Sequence, residues 1–134
     1  MRNPDKLAVA DRAMAMAVEV YRLTNHFPSS ERFGLSAQMR RAAVSVGSNI
    51  AEGCGRSGDR DFVRFLEIAR GSTTELAFQL TLAMDLGFGD SSDHARVAEL
   101  VDHVQRMLNR LTASMHRKLA SPQPAVRAAR GPRV

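Results

Sequence analysis

The sequence predicts an all-α protein, an antiparallel up-down-up-down four-helix bundle. Three observations lead to this fold class. Apolar residues recur at spacings of three and four along four segments, short turns rich in glycine or proline separate these segments, and no segment alternates as a half-buried strand does. With 134 residues, 44% of them hydrophobic, the chain can bury its own core. We expect one domain over residues 1–120.

The first helix is predicted over residues 5–26, and it carries two apolar stripes. One stripe comprises Leu7, Ala10, Met14, Ala17 and Tyr21. The other comprises Val9, Ala13, Met16, Val20 and Leu23. Both follow the helical period, and two stripes need two neighbours to cover them. This pattern suits a helix in a bundle, and an oligomeric bundle would cover both stripes. The helix ends before Pro28, because a residue that precedes proline avoids the helical region.

Three further helices are predicted over residues 35–54, 59–86 and 92–119. The glycines that separate them are Gly53, Gly55, Gly58, Gly87 and Gly89. Residues 121–134 combine prolines with alternating alanine and arginine and show no amphipathic period, which predicts a basic, disordered C-terminal tail.

Positive charge is concentrated near the C-terminus. Residues 106–134 hold seven bases and no acid, whereas residues 1–105 hold twelve bases and fourteen acids. Such a basic C-terminal segment indicates binding to nucleic acid or to an acidic partner. An equally weighted alternative is a tail that is only solvated and binds no partner. No apolar run approaches the roughly 18 residues of a membrane span. The N-terminus lacks the apolar core of a signal peptide, and a single cysteine excludes an internal disulfide. We therefore expect a cytoplasmic protein without a membrane partner.

No catalytic, metal or cofactor site is predicted. Residues 53–58 match the G-x-G-x-x-G dinucleotide motif, but that motif acts between a strand and a helix, and here a helix precedes it. The four histidines lack metal-ligand spacing and are expected at the surface. Cys54, at a helix C-terminus, is expected to be a packing residue. We expect no enzymatic activity, no cofactor and no small-molecule substrate.

A continuous polar line runs along the second helix and comprises Gln38, Arg41, Ser45, Asn49 and Glu52. If it faces solvent, it is an ordinary solvent-exposed polar face of the helix. If it faces the bundle interior or a subunit interface, each member needs a partner, because an unpaired buried charge costs on the order of a few kcal/mol. The candidate partners on the third helix are Glu67, Glu75 and Gln79. The interior or interfacial alternative is favoured, and the predicted buried or interfacial network comprises Gln38, Arg41, Ser45, Asn49, Glu52 and Glu75.

Six basic residues are candidates for contact with nucleic-acid phosphates. They are Arg40, Arg56, Arg60, Arg110, Arg117 and Lys118. Arg56 and Arg60 flank the free N–H groups that begin the third helix, a favourable place for a phosphate. On the fourth helix acids precede bases, which the helix dipole also favours, so a stabilising role competes there with a phosphate-binding one. Aromatic residues are too few for base stacking, so backbone contacts would dominate.

Four blocks of the sequence resemble the four-helix-bundle proteins encoded in 23S rRNA intervening sequences. They are FPSSERFGL at 27–35, QMRRAAVSV at 38–46, SNIAEG at 48–53 and FVRFLEIARGSTTEL at 62–76. The resemblance extends over residues 5–115, and the Asn-Ile-Ala-Glu-Gly element is its most specific part. The chain departs from the family at Gly47, where proline is usual, and in its basic tail, which has no family counterpart.

The resemblance implies an antiparallel four-helix protomer that assembles into a homopentamer and has no known catalytic activity. Related accessory proteins of diversity-generating retroelements share the fold and bind a reverse transcriptase and nucleic acid. We therefore predict a non-enzymatic, homo-oligomeric scaffold that contacts RNA or DNA through arginine, with rRNA as one candidate. The alternative is a protein-binding adaptor, such as a reverse-transcriptase accessory protein of a retroelement.

Overall fold

The computed structural model describes residues 3–121, which form four α-helices and one short 3₁₀ helix. They are α1 (Pro4–Thr24), the 3₁₀ helix (Ser29–Glu31), α2 (Leu35–Cys54), α3 (Asp59–Asp85) and α4 (Ser91–Ala120). Each helix packs against the next one in the chain, and α4 packs back against α1, so the four helices form a closed bundle. Short connections make neighbouring helices antiparallel, which confirms the predicted up-down-up-down bundle. All predicted helix ends lie within two residues of the observed ones.

The described residues contain no helix that is both long and apolar enough to span a bilayer. The helix α4 ends at Ala120. The predicted basic tail over residues 121–134 therefore lies outside the described residues, apart from Ser121.

Polar side chains fix where α1 and α4 begin. Asn3 caps α1, because its Oδ1 accepts a hydrogen bond from the backbone N–H of Asp5 at 2.8 Å. Asp90 caps α4 in the same way, accepting from the N–H of Ser92 at 2.7 Å. Hydrogen bonds from the hydroxyl and the N–H of Ser92 lower the pKa of Asp90. Both caps satisfy donors that a helix leaves free in its first turn.

Only one of the two apolar stripes of α1 faces the core. Val9, Ala13, Met16, Val20 and Leu23 are all buried. On the other stripe Leu7, Met14 and Tyr21 stay 47%, 68% and 44% exposed. The bundle therefore buries one stripe, whereas the large side chains of the other stay substantially exposed.

A buried carboxylate joins α1 to α4. Glu19 is buried, and its Oε1 accepts a hydrogen bond from Nε of Arg96 on α4 at 3.1 Å. Its Oε2 accepts from Arg22 at 2.6 Å, so both oxygens are paired. Hydrogen bonds to Asp93 and to Glu19 raise the pKa of Arg96. This cross-link satisfies the charge that α1 carries into the interior.

The prediction that the histidines lie at the surface is wrong for His94. This residue lies in the first turns of α4 and is buried. Its Nε2 is 2.5 Å from the carbonyl oxygen of Phe88, in the turn that precedes the helix. This contact links the first turns of α4 to the turn before the helix, which explains why a polar ring can lie inside the bundle.

Candidate nucleic-acid interface

The antiparallel arrangement brings five of the six candidate basic residues to one end of the bundle. They are Arg56, Arg60, Arg110, Arg117 and Lys118. This end, which we call the basic end, consists of the first turn of α1, the α2–α3 turn, the first turn of α3 and the last three turns of α4. The Nζ of Lys118 lies 3.0 Å from Oδ2 of Asp59, so the C-terminus of α4 and the N-terminus of α3 are in direct contact.

Arg40 lies at the opposite end, where it connects α2 to the end of α1. Its Nε donates to Oγ1 of Thr24 at 2.8 Å, and its Nη2 donates to Oδ1 of Asn25 at 3.0 Å. The guanidinium also lies 4.7 Å from the centre of the Tyr21 ring, a cation–π distance. These three contacts make Arg40 a link between two helices, separate from the basic end.

Three of the five residues at the basic end have no acidic partner within residues 3–121. They are Arg60, Arg110 and Arg117, and all three are exposed. The other two form ion pairs, Lys118 with Asp59 and Arg56 with Glu52, the latter at 2.6 Å. Exposed pairs of this kind are worth only about 0–1 kcal/mol, so a phosphate can compete with the carboxylate.

Arg110 and Arg117 line a cleft between α4 and the first turn of α1. The cleft has a volume of about 370 Å³, and Asp5 and Ser114 also line it. The two arginines are seven residues apart, which places them on one face of α4 about 10 Å from each other. A guanidinium presents several N–H donors in a planar fork that matches the oxygens of a phosphate.

Charge is divided between the two ends of the bundle. Residues 3–14, 45–68 and 106–121, which form the half at the basic end, hold nine bases and six acids. Residues 15–44 and 69–105 form the opposite half and hold six bases and eight acids. An anion that approaches the bundle is therefore attracted to the basic end.

The polar line on α2 lies at the surface of the protomer. Four members of the predicted network are exposed, namely Gln38, Arg41, Glu52 and Glu75. A position inside the bundle is therefore wrong for these four. The helix α2 directs Met39, Val46 and Ile50 towards the core instead, and α3 directs Leu76 and Leu80 there instead of Glu75. A position at an interface between copies stays a prediction.

The two remaining members, Ser45 and Asn49, are half-buried at the contact between α2 and α3. Their hydroxyl and amide groups form a short chain. Oγ of Ser45 lies 2.9 Å from Oγ of Ser72, and Nδ2 of Asn49 donates to the carbonyl oxygen of Ser45 at 2.8 Å. Sequence reasoning missed Ser72, because a serine hydroxyl gives no charge signal. Within the described residues, none of the expected partners on α3, Glu67, Glu75 and Gln79, forms a hydrogen bond with a residue of the polar line.

Glu52→Ala and Glu99→Ala are therefore expected to have similar, small effects. Both carboxylates are exposed, and Glu52 forms only the exposed pair with Arg56. Each variant should change the free energy of unfolding, measured by urea denaturation, by less than about 1 kcal/mol. A larger loss for Glu52→Ala alone, growing with protein concentration, would instead place Glu52 in an interface between copies.

Residues 3–121 contain neither a cluster of potential metal ligands nor an activated thiol. Within residues 3–121 no three histidine, cysteine, aspartate or glutamate side chains lie close enough to hold a metal ion. Cys54 is half-buried, and its burial raises the pKa of the thiol, which keeps it protonated at neutral pH. The surface instead offers charge at the basic end and exposed apolar side chains on α1.

Similarity to known proteins covers most of the bundle. The family model of the 23S rRNA-intervening sequence protein matches residues 5–110. The chain belongs to this family. Among six matching chains of solved structures is a protein of unknown function from the S23 ribosomal protein family of Bacteroides thetaiotaomicron VPI-5482. It is similar with a TM-score of 0.74 and 21% identity, over 81% of this chain and 98% of that chain. The search of curated proteins finds no match.

In this 23S rRNA-intervening sequence protein, the Asn-Ile-Ala-Glu-Gly element at residues 49–53 packs α2 against α3. Ile50 is fully buried, and Asn49 bonds back to Ser45. A Cβ added at Gly53 would lie 2.9 Å from Cβ of Phe65, so glycine allows the two helices to approach closely there. The element therefore has a structural explanation in packing.

Proposed function

We propose that this protein is a non-enzymatic, homo-oligomeric scaffold that binds RNA through phosphate contacts at the basic end. The observation that carries the proposal is the grouping of Arg60, Arg110 and Arg117 at one end of the bundle, exposed and without acidic partners in the described residues. The family takes its description from an intervening sequence of 23S rRNA, which makes structured RNA the first ligand to test.

Binding of this kind reads the phosphate backbone rather than the base sequence. Arginine side chains neutralise phosphates and release counterions, which favours binding without distinguishing bases. Base stacking would need exposed aromatic rings near the arginines. The most exposed rings of the described residues, those of Phe33 and Phe78, lie away from the basic end.

A salt titration with fluorescently labelled RNA tests the proposal. If three arginines each neutralise one phosphate of a single strand, the logarithm of the affinity should fall with the logarithm of salt with a slope of about −2. Arg117→Gln should reduce that slope by about 0.7, and the triple variant at Arg60, Arg110 and Arg117 should remove most of the affinity. Arg32→Gln, an exposed arginine at the opposite end, is the matched control and should bind like the wild type.

Two outcomes would contradict RNA binding at this end: no detectable affinity at low salt, or a triple variant that binds as well as the wild type. The adaptor alternative uses the same basic end for an acidic protein surface, such as one on a reverse transcriptase. It predicts salt-sensitive association with that protein in samples free of nucleic acid, together with negligible affinity for RNA alone.

The homo-oligomeric part of the proposal rests on an uncovered apolar groove between α1 and α2. The groove has a volume of about 490 Å³ and is lined mainly by Leu7, Ala10, Ala13, Met14, Ala17, Ala43, Val44, Gly47 and Ala51. A contiguous exposed apolar surface marks an interaction site. Light scattering should give a mass of several protomers, five according to the family resemblance. A monomer at all concentrations would contradict this part of the proposal.

A further inference from the structure

A polar cavity lies between α2 and α3, away from the basic end. It has a volume of about 750 Å³, and its polar lining consists mainly of Gln38, Arg41 and Ser45 on α2 with Ser72 and Glu75 on α3. This volume falls in the range of roughly 300–1,000 Å³ that is typical of ligand pockets. At about 1.5 Å per residue, Arg41 lies about 20 Å from the end of α2 at the basic end. The polar cavity is therefore a separate site.

The contact between Ser45 and Ser72 sets the heights of the charged side chains in this cavity. The two hydroxyl oxygens lie 2.9 Å apart where α2 meets α3. Arg41 lies one turn from Ser45, towards the start of α2, and Glu75 lies one turn from Ser72, towards the end of α3. Because the two helices are antiparallel, both steps lead in the same direction along the bundle. Arg41 and Glu75 therefore lie at similar heights on two walls of the cavity.

The charges of Arg41 and Glu75 do not pair with each other. Both side chains are exposed, and within residues 3–121 neither forms an ion pair or a side-chain hydrogen bond. The two serine hydroxyls, in contrast, are hydrogen-bonded to each other. The guanidinium and the carboxylate are thus the charged groups of this cavity whose hydrogen-bonding capacity is unused. They suit one ligand that carries acceptors on one edge and donors on the next.

A third wall of the cavity offers a surface for stacking. Tyr21 and Arg40 both line the cavity, and the guanidinium carbon of Arg40 lies 4.7 Å from the centre of the Tyr21 ring. Hydrogen bonds to Thr24 and Asn25 hold this guanidinium in place. Unpaired nucleobases stack on aromatic rings and on arginine planes. The cavity therefore combines a stacking surface with the two unpaired charges.

Guanine is the nucleobase whose edges match these charges. Its O6 and N7 atoms are adjacent acceptors, which suit the forked donors of an arginine. Its N1–H and N2–H groups are adjacent donors, which suit the two oxygens of a carboxylate. Adenine presents an acceptor at N1 and a donor at N6, so it opposes both charged groups. Cytosine and uracil each present a single donor nitrogen, which leaves one carboxylate oxygen without a partner.

We propose that the polar cavity binds an unpaired guanine, with Arg41 donating to its O6 and N7 and Glu75 accepting from its N1–H and N2–H. The inference rests on the proposed function in taking RNA as the source of the guanine, and a free guanine nucleotide is the other source of the same chemistry. Phosphate contacts at the basic end hold a strand without regard to its sequence. The polar cavity adds selection of a guanine in a single-stranded loop.

Two binding measurements test the guanine and its source. In the first, the protein is titrated with guanosine, adenosine, cytidine and uridine 5′-monophosphates and followed by NMR of its amide groups. Guanosine monophosphate should bind about fivefold more tightly than the others, or better, and should shift signals around Arg41 and Glu75. In the second, a labelled hairpin RNA carries one guanine in its loop, and the same hairpin with adenine at that position should bind more weakly by a similar factor.

Base analogues assign each contact to an atom. Inosine lacks the N2 amino group and 7-deazaguanosine lacks N7, and each should bind the wild type several-fold more weakly than guanosine does. Glu75→Ala should remove the difference between guanosine and inosine, and Arg41→Ala should remove the difference between guanosine and 7-deazaguanosine. A general loss of stability would not produce this pairing of variant and analogue. Glu99→Ala, an exposed carboxylate on α4, is the control and should keep both differences.

The outcomes separate this site from the proposed function. Equal affinities for guanine and adenine in both measurements, no binding in either, or Arg41 and Glu75 variants that keep the preference for guanine would overturn the guanine site. A preference in the hairpin measurement identifies RNA as the source, and a preference for the free nucleotide alone identifies the nucleotide. The triple variant at Arg60, Arg110 and Arg117 should weaken both hairpins alike. If no RNA binds while the free nucleotide does, the proposed function fails and the guanine site stands.

Discussion

Gly89→Ala is expected to lower the free energy of unfolding by about 2–4 kcal/mol, because it adds backbone strain to a clash in the core. Gly89 has a φ of +85°, a conformation that side chains disfavour, and an added Cβ would lie 2.7 Å from Cδ1 of Leu23 and 3.0 Å from Cε1 of Phe27. Leu23 is fully buried, so its side chain can move only by displacing closely packed neighbours.

Gly87→Ala is the matched control in the same turn. Gly87 also has a positive φ, +73°, but no atom lies within 4 Å of an added Cβ. Its substitution therefore introduces strain alone, about 1 kcal/mol. Urea denaturation of both variants gives the difference between them. Equal losses would show that the α3–α4 turn does not pack against the end of α1 as described.

Local signals explain why the helices could be predicted from the sequence. Apolar spacing and the positions of glycine and proline determine where a helix runs and where it ends, without knowledge of its neighbours. Which face of a helix is buried depends on neighbours that are distant in sequence. The two stripes of α1 are equally periodic, so the sequence alone does not distinguish buried Met16 from exposed Met14.

The wrong predictions for the polar line and for His94 have the same cause, since burial and contacts depend on residues that are distant in sequence. Residues 37–45 contain no acid that could pair with Arg41 along the helix, but an exposed arginine needs no such partner, so this absence does not place it inside the bundle. The contacts of Arg40 could not be predicted either, because its partners Thr24 and Asn25 lie at the end of another helix. His94 bonds to a turn carbonyl that only the folded chain brings close. In contrast, the basic end follows directly from antiparallel topology, which places the start of α3 beside the end of α4.

The Asn-Ile-Ala-Glu-Gly element provides the second large effect, at Gly53. Gly53→Ala is expected to lower the free energy of unfolding by about 1–3 kcal/mol, although alanine favours helix over glycine by about 1 kcal/mol. An added Cβ would lie 2.9 Å from Cβ of Phe65 and 3.1 Å from Cδ1 of Phe62. The Cβ of Phe65 is bonded directly to the backbone of α3, so no side-chain rotation relieves the contact. The two helices have to move apart, which opens the core around Ile50.

Gly47→Ala in the same helix should have the opposite sign. Its Cβ would meet only Cβ of Ala13, at 4.0 Å, an ordinary van der Waals contact. The variant should therefore gain the propensity of alanine, about 0.5–1 kcal/mol, without a packing penalty. Thermal or urea denaturation should be measured at a protein concentration where any oligomer is dissociated. The free energy of unfolding then reports the stability of the protomer alone. If both substitutions stabilise α2, the close approach of α2 and α3 at Gly53 is refuted, and the packing explanation of the element is lost with it.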